Sequence, residues 1–283
     1  MARILAIANQ KGGVGKTTTC VNLAASLAAA KKRVLLVDLD PQGNATMGSG
    51  VDKHAVDHSV YDLLVHGVPV LNIVVTDAGG GYSVLPANGD LTAAEVELVG
   101  VTGRERRLRD ALEEVDVLFD YILIDCPPSL NLLTLNALVA AEGVIIAMQC
   151  EYYALEGLSA LMDTITKVAA AVNPQLVVEG ILRTMYDPRN SLTNDVSAQL
   201  HSHFAGKVYR TVIPRNVRLA EAPSHGLPVM YYDRYSRGSK AYMALAGEII
   251  RRNEGAAPPA DDDHNSQPIV TPTLIMAADG DSQ

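Results

Sequence analysis

Residues 9–18 read N-Q-K-G-G-V-G-K-T-T, and they constrain the fold more than any other part of this chain. In a phosphate-binding loop, backbone N–H groups cradle phosphate oxygens, a lysine reaches the β- and γ-phosphates, and a Ser or Thr hydroxyl binds magnesium. Lys16 and Thr17 complete the second half of the usual pattern, G-x-x-x-x-G-K-[ST], whereas Gln10 takes the place of its first glycine. Lys11 is a second lysine in the same loop, and it points to a nucleotide-dependent dimer.

The residues around the loop predict the strand and the helix that such a site needs. Arg3–Ala8 reads as a buried strand, and Lys16–Ala30 reads as a helix with one apolar face. A helix N-terminus that follows a strand and a glycine loop is a ready anion site. A glycine-rich turn without a ligand is the plainer alternative. Two lysines beside Gly12, Gly13 and Gly15 would however repel each other and the helix dipole unless an anion were bound.

Composition indicates one large domain rather than a small disulfide-bonded or membrane-spanning protein. With 283 residues, 48% of them hydrophobic, the chain can bury a substantial core. Cys20, Cys126 and Cys150 are too few and too scattered for a disulfide framework or a C-x-x-C metal site, so we expect small buried core residues in a reducing cytoplasm. No signal peptide is visible and no apolar run approaches the ~20 residues that span a bilayer, so we expect a soluble protein.

The net charge of −9 is unevenly distributed along the chain. Residues 1–206 carry 14 basic and 23 acidic side chains, whereas residues 207–252 carry nine basic and three acidic ones. A local basic surface is therefore compatible with the acidic total, and nucleic acid is not excluded as a partner.

Apolar runs that look like buried parallel strands alternate with helical patterns, which predicts an α/β fold with a doubly wound, mostly parallel sheet in one domain, residues 1–255. A shorter pair of strands, Ile73–Thr76 and Tyr82–Pro86, is expected to flank the glycine turn at 79–81. Residues 256–283 are rich in Pro, Asp and Ser and predict a disordered acidic tail. The longer predicted strands are Arg3–Ala8, Arg33–Asp38, Tyr121–Asp125, Val144–Gln149, Val177–Met185 and Val208–Ile213.

Acidic residues follow two of these strands, at the sheet edge where ligands of open α/β sheets gather. Asp38 and Asp40 follow one buried strand, and Asp125 ends another in the manner of a Walker B element. Asp after a strand is also common as a helix N-cap or turn residue, and for Asp38 alone this reading is equally good. Together with the phosphate loop, Asp40 and Asp125 favour a functional reading. We expect Asp125 to approach a magnesium ion coordinated by Thr17 and to contact it through a bound water.

This arrangement predicts hydrolysis of a γ-phosphate by an in-line water, with charge stabilisation from Mg²⁺, Lys16 and backbone amides. Asp40 is the candidate for positioning that water. Lys11 precedes the cradle and need not reach its own phosphates, so in a face-to-face dimer it would cross to the partner's nucleotide, as an arginine finger does. Nucleotide would then hold two subunits together until hydrolysis.

With these residues in view, the chain resembles the ParA/Soj chromosome- and plasmid-partitioning ATPases of the deviant Walker A group. The resemblance covers roughly residues 2–252. It rests on long motifs in the family order: KGGVGKTT at 11–18, VDLDPQGNAT at 37–46, IDCPPS at 124–129, QCEYYALEGL at 149–158 and VIPRNVRLAEAPSHG at 212–226.

The resemblance implies a P-loop NTPase fold, ATP and Mg²⁺ as cofactors, an ATP-dependent homodimer, slow hydrolysis, and stimulation by a ParB-type protein bound to centromere-like DNA. By motif position, Lys11 looks like the family's signature lysine and Asp40 like the switch I residue needed for hydrolysis. Pro214 and Asn216 are similar in place to residues that contact adenine. The predicted phosphate-binding residues are Lys11, Gly12, Gly13, Val14, Gly15, Lys16, Thr17 and Thr18, and the predicted catalytic residues are Lys11, Lys16, Asp40 and Asp125.

The family's dimer also binds double-stranded DNA without sequence preference, which implies association with the nucleoid. Phosphate contacts from Arg or Lys give an affinity that falls steeply with salt. Any single arginine is more safely read as a solvated surface residue. For Arg189 and Arg218 the family pattern favours DNA contact. The candidate DNA-binding residues are Arg189, Arg215, Arg218 and Arg237, with Arg234 and Lys240 nearby in sequence.

Two other functions remain open at this stage. A MinD-type cell-division ATPase shares the two-lysine loop but reaches membranes through a C-terminal basic amphipathic helix. Arg251 and Arg252 close the last predicted helix without a following apolar face, so membrane binding is disfavoured. An ATP-dependent metabolic or electron-transfer enzyme would need a substrate pocket or bridging cluster ligands. The adjacent Tyr152 and Tyr153 are expected to serve packing or switch structure rather than base stacking.

Overall fold

The computed structural model describes residues 1–76 and 78–255, in which seven parallel strands form a single sheet with helices on both faces. The strand order is β3-β2-β4-β1-β5-β6-β7. The strands are β1 Arg3–Ala8, β2 Val34–Asp38, β3 Ser83–Leu85, β4 Tyr121–Asp125, β5 Gly143–Gln149, β6 Val177–Tyr186 and β7 Val208–Pro214. The predicted doubly wound α/β fold and the six longer predicted strands are confirmed.

The helices connect these strands. They are α1 Lys16–Ala29, α2 Asn44–Gly48, α3 Val70–Ile73, α4 Leu91–Glu97, α5 Arg107–Glu113, α6 Leu132–Ala140, α7 Ala154–Ala171, α8 Ser191–His203, α9 Val217–Glu221, α10 Val229–Tyr232 and α11 Arg237–Asn253. A π-helical turn spans Asp62–His66, and 3₁₀ turns span Arg104–Arg106, Asp116–Leu118 and Ala222–His225.

One predicted strand is absent. The expected strand Ile73–Thr76 begins inside α3, whose last residue is Ile73, and Val75 makes only an isolated antiparallel bridge to Val84. The partner segment Tyr82–Pro86 does contain a strand, but β3 pairs in parallel with β2 instead of forming a hairpin with residues 73–76. The segment that precedes the glycines is therefore a short helix, Val70–Ile73, followed by one edge contact at Val75.

The core consists of two apolar layers, one on each face of the sheet. Along β1, Leu5 and Ile7 belong to the layer that α1 and α11 cover, whereas Ala6 and Ala8 belong to the opposite layer. This alternation follows from the two-residue period of a strand, and both faces are apolar because helices cover both. All three cysteines are buried and free, as predicted.

The order of the strands determines where a ligand can bind. β1 lies between β4 and β5, so the chain leaves β1 toward one side of the sheet and later returns to fill the other side. The connections that follow the carboxyl ends of β1, β4 and β5 diverge at this topological switch point. Open α/β sheets bind their ligands at such points. The glycine loop that follows β1 lies at this point.

The predicted disordered tail, residues 256–283, and Asp77 lie outside the described residues. Within the part of the chain that is described, no helix is both long and apolar enough to cross a bilayer.

Candidate nucleotide site

The glycine loop forms an anion-binding turn at the start of α1. Gly13 and Gly15 have φ angles of 73° and 87°, in the left-handed region that a residue with a Cβ rarely enters. Gly15 is the N-cap of α1 and has no side chain with which to bond the free N–H groups of the first turn. Those N–H groups and the positive end of the helix dipole are therefore available to a bound anion.

Two side chains hold the loop against the sheet. The Asn9 Nδ2 donates to the carbonyl of Ala147 on β5 at 2.8 Å, and its Oδ1 accepts from the Lys11 N–H at 2.9 Å. The Thr184 hydroxyl, near the end of β6, donates to the Val14 carbonyl at 2.7 Å and is buried. Sequence reasoning missed both anchors. Nothing near Thr184 in the sequence indicates a loop 170 residues earlier.

Thr184→Val should loosen the loop without removing a ligand of the nucleotide. Valine keeps the branched shape but leaves the buried Val14 carbonyl without its donor, which costs about 1–2 kcal/mol. We expect nucleotide affinity to fall about threefold to tenfold, measured by titration with a fluorescent nucleotide. Thr166→Val is the matched control, because the Thr166 hydroxyl bonds Met162 within α7 on an exposed face. Equal affinity in both variants would contradict the anchoring role.

The two lysines of the loop point in different directions. Lys16 is buried, and its Nζ donates to the Lys11 carbonyl at 3.2 Å. Burial lowers the pKa of Lys16, whereas the charges of Asp125 and Asp40 raise it. The Lys11 side chain instead extends outward to an ion pair with Glu151, in the loop that follows β5. One lysine therefore faces the cradle, and the other lies at its outer rim.

Asp38 serves to hold the turn that follows β2. Its Oδ1 accepts from the Asp40 N–H at 3.1 Å, and its Oδ2 accepts from the N–H and the hydroxyl of Thr46 at 2.8 and 2.7 Å. The structure thus supports the turn reading of Asp38 that the sequence left open. The same turn carries Asp40, whose Oδ1 accepts from the Gln42 N–H at 3.0 Å.

Asp125 has the chemistry of a cation ligand. It pairs in register with Asp38 across β2 and β4, and both carboxyl groups are fully buried. Its Oδ1 accepts from the Cys20 thiol at 3.5 Å, while its Oδ2 has no hydrogen-bond partner among the described residues. Burial raises the pKa of Asp125, the negative charge of Asp38 raises it further, and a hydrogen bond from Thr17 lowers it.

A buried carboxylate oxygen without a donor is costly, and a cation would satisfy it. Thr17 lies in the first turn of α1 and its side chain interacts with Asp125. Oxygen ligands of this kind suit Mg²⁺, which keeps several waters and takes its other ligands from phosphates. The side-chain oxygens of Thr17 and Asp125 therefore fit the predicted magnesium site.

The predicted adenine contacts lie at the end of β7. Pro214 is the last residue of β7, where it pairs with Tyr186 of β6. Asn216 precedes α9 in an extended conformation, and its buried Oδ1 has no hydrogen-bond partner in the described chain. An amide oxygen in this state fits an N–H donor such as the exocyclic amine of a base.

The predicted DNA-binding arginines all lie after β6 or β7, and two of them are paired with acids. Arg189 binds Asp187 through two hydrogen bonds of 2.9 and 2.7 Å. This pairing lowers the pKa of Asp187 to about 2. Arg218 binds Glu221 at 2.7 Å and lies 3.4 Å from Asp233.

The other arginines of this group are exposed. Arg215 follows β7, and its charge contributes to lowering the pKa of Asp187, so it lies near Arg189. Arg237 is the first residue of α11. Local acids therefore partly offset the basic charge that the sequence places here.

The adjacent tyrosines Tyr152 and Tyr153 are not packed in the core. They are 73% and 74% exposed, which contradicts the packing interpretation, whereas a role in switch structure stays a prediction. Their rings form an edge-to-face pair 5.1 Å apart. They follow Glu151 directly and therefore lie beside the outward-facing Lys11.

Comparison with known proteins agrees with this geometry. The chain matches an AAA domain family model (AAA_31) over residues 2–178. It is 55% identical over 249 residues to the sporulation initiation inhibitor protein Soj of Bacillus subtilis, covering 88% of this chain and 98% of Soj. It is 51% identical over 252 residues to the chromosome partitioning protein ParA of Caulobacter vibrioides, covering 88% of this chain and 94% of ParA.

Among solved structures, cobyrinic acid a,c-diamide synthase from Mycobacterium smegmatis, with bound ATP analogue and magnesium, has a TM-score of 0.80 and 38% identity. The match covers 91% of this chain and 98% of that one. The two partitioning relatives are more similar in sequence and match over almost their whole length. The protein is an ATPase that belongs to the ParA/Soj family of chromosome-partitioning proteins.

Proposed function

We propose that this ATPase is a DNA-segregation switch. Mg²⁺ and ATP join two copies of the chain, the dimer binds double-stranded DNA without sequence preference, and hydrolysis stimulated by a ParB-type centromere-binding protein resets it. The observation that carries the proposal is the division between the two lysines of one loop. Lys16 is buried beside the cradle, whereas the Lys11 side chain is half-exposed and paired with Glu151 in the loop after β5.

The chemistry follows from the side chains at the loop. Lys16 and the first-turn N–H groups of α1 bind the phosphates, and Thr17 and Asp125 hold the magnesium. A bound Mg²⁺ supplies charge stabilisation at the transferred phosphoryl group. Asp40, held by the turn that Asp38 anchors, orients the attacking water. Pro214 and Asn216 receive the base.

Lys11 completes the site of a second copy. A cation supplied in trans to the γ-phosphate links hydrolysis to association, because only the triphosphate draws the two copies together. Two of the candidate arginines, Arg189 and Arg218, are paired with acids of the same chain, which lowers the DNA affinity of a single subunit. Doubling the surface turns this weak attraction into useful binding, which makes DNA affinity depend on nucleotide state.

A membrane-associated role of the MinD type has less support. The apolar face of α11, the last described helix, is used inside the molecule, where Tyr242, Leu245 and Ile249 are fully buried. That face is therefore not available to insert into a bilayer. Arg251 and Arg252 end the helix, and Arg252 is engaged with Glu248 at 2.9 Å.

A metabolic role is suggested by the similarity to cobyrinic acid a,c-diamide synthase. That structure is 38% identical to this chain, whereas Soj and ParA are 55% and 51% identical. A cavity of about 1140 Å³ in the described chain is lined by Arg183, Glu248 and Arg252 rather than by residues of the nucleotide loop. An ATPase rate that rises with DNA and a ParB-type partner would exclude this alternative.

The test of the proposal is DNA co-sedimentation with ATP, with ADP and without nucleotide. We expect the wild-type protein to bind DNA only with ATP. Asp40→Ala should remain bound with ATP, because it forms the dimer but cannot reset it. Lys11→Ala should fail because no dimer forms, and Arg218→Glu should fail because a phosphate contact becomes repulsive. Affinity should fall at least about tenfold in both.

Arg106→Glu is the matched control for charge, since Arg106 is an exposed arginine far from β6 and β7 in the fold. It should bind DNA like the wild type. Flotation with anionic liposomes, run in parallel, tests the membrane role. Equal DNA binding in all nucleotide states would refute the switch, and ATP-dependent liposome binding without DNA binding would favour the MinD-type function.

A further inference from the structure

Lys11 and Glu151 form an ion pair between two loops at the carboxyl edge of the sheet. Lys11 follows β1 and Glu151 follows β5, and these strands are neighbours. The Lys11 backbone is held by the Asn9 side chain, and the Glu151 carbonyl accepts from the Ala154 N–H at 3.0 Å. Both ends of the pair are therefore positioned by contacts that do not involve the paired side chains.

The pair lies at the surface. The Lys11 side chain is 51% exposed and the Glu151 side chain is 42% exposed. Glu151 is thus accessible, and it is the acid that neutralises Lys11 within the same chain. The Glu151 carboxylate and a partner's phosphate would compete for the same ammonium group, because each is an anion that attracts its charge.

We propose that Glu151 is a latch that holds Lys11 within its own subunit until nucleotide-bound copies meet. This inference rests on the proposed function of Lys11 in trans. In the free subunit Glu151 restrains Lys11, and in the dimer the phosphate of the second copy replaces Glu151 as the partner of the ammonium group. Glu151 is a positioning residue, because it acts on the nucleotide only through Lys11.

A hydrogen bond between Lys16 and Lys11 connects the restraint on Lys11 to the nucleotide site. In the free form the Lys16 Nζ donates to the carbonyl of Lys11. The lysine that is proposed to bind phosphate therefore also contacts the backbone of the lysine that Glu151 holds. A phosphate that engages Lys16 competes with the Lys11 carbonyl for its protons. Nucleotide binding therefore removes one of the contacts that fix Lys11 before the second copy arrives.

The size of the effect follows from the exposure of the pair. An exposed ion pair changes an equilibrium constant by up to about fivefold. A symmetric dimer must open two latches, so the dimer dissociation constant is expected to differ by up to about 25-fold. A restraint of this size suppresses association without nucleotide and is overcome by the stronger contact with a phosphate. Salt should weaken it, because both ends face solvent.

The experiment compares Glu151→Gln with wild type by sedimentation equilibrium, using a non-hydrolysable ATP analogue and Mg²⁺. Glutamine keeps the shape of the side chain and removes its charge. We expect the dimer to tighten by about fivefold to 25-fold at low salt, with a smaller difference near 0.5 M salt. Glu156→Gln is the matched control, because Glu156 is exposed in the first turn of α7 and should leave association unchanged. Unchanged melting temperatures verify that each variant is folded.

A double-variant comparison shows whether Glu151 acts through Lys11. The Lys11→Ala/Glu151→Gln variant lacks the trans cation and should stay monomeric with the ATP analogue, whereas a dimer of this variant would show that Glu151 opposes association independently of Lys11. If Glu151→Gln leaves a dimerising protein unchanged or weakens it, the latch is wrong while the proposed function stands. If wild type stays monomeric with the ATP analogue and so does Glu151→Gln, the trans role of Lys11 fails and the latch fails with it.

Discussion

Asp125→Asn should stabilise the nucleotide-free protein while reducing ATP hydrolysis at least about 100-fold. The Asp125 carboxyl group is fully buried beside Asp38, and its Oδ2 finds no donor among the described residues. Removing this buried charge, which lies beside a second carboxyl group and leaves one oxygen without a donor, is expected to raise the free energy of unfolding by about 1–3 kcal/mol. The same change removes the carboxylate that fits magnesium, so stability and activity should move in opposite directions.

The pH dependence of stability gives a second readout of the same variant. Burial raises the folded-state pKa of Asp125 above its unfolded value, and burial raises that of Asp38 as well. Between its unfolded-state pKa and its higher folded-state pKa, each carboxyl group keeps its proton in the folded state and has lost it in the unfolded state. The free energy of unfolding therefore falls as pH rises through this window. Asp125→Asn should flatten this decline in thermal unfolding, measured without nucleotide from about pH 4.5 to pH 8.

Asp163→Asn serves as the control for this pair of measurements, because Asp163 is exposed on α7. It should leave stability, its pH dependence and hydrolysis close to wild type. Adding Mg²⁺ and ATP should stabilise wild type much more than Asp125→Asn, since a ligand stabilises the form that binds it. A variant that is less stable than wild type without nucleotide, at neutral pH, would contradict the uncompensated charge at Asp125.

The sheet was predictable because its strands are covered on both faces. Buried parallel strands read as continuous apolar runs between helical patterns, and the run Arg33–Asp38 differs from β2 by one residue. The same rule failed at Ile73–Thr76, since a short apolar run fits a buried helical turn equally well. Strand order has no local signal at all, so the register that places Asp125 beside Asp38 had to come from the structure.

The nucleotide loop was predictable because its chemistry is local in sequence, whereas its supports are not. Lys11 and Lys16 belong to one ten-residue motif. Thr184 and Glu151, which contact this loop, lie 170 and 140 residues from their partners. Local sequence does bear on Arg189, because Asp187 lies two residues before it and offsets its charge. When an arginine is proposed as a DNA contact, acidic residues close to it in sequence should be considered, because they offset its positive charge.

Mixing two inactive variants should restore hydrolysis if Lys11 acts on the partner's nucleotide. Lys11→Ala retains a cradle with Lys16 but cannot serve a partner, and Lys16→Ala can serve a partner but cannot hold its own phosphates. Each alone should lose at least about 100-fold in hydrolysis rate. In a mixed dimer, the Lys16→Ala subunit supplies Lys11 to the intact cradle of the other, so one of the two sites is complete.

Neither variant forms a dimer with itself, so only mixed dimers assemble, and each has one complete site of two. The expected recovery is therefore at most about half of the wild-type rate per subunit, measured as phosphate release at equal total protein. The control mixes Lys11→Ala with the double variant Lys11→Ala/Lys16→Ala, which supplies neither lysine and should restore nothing. A lysine that acted on its own nucleotide would give no recovery in either mixture, since no subunit would then contain both lysines. The mixture therefore separates action in trans from action in cis without any change to Asp40 or to the proposed magnesium ligands Thr17 and Asp125.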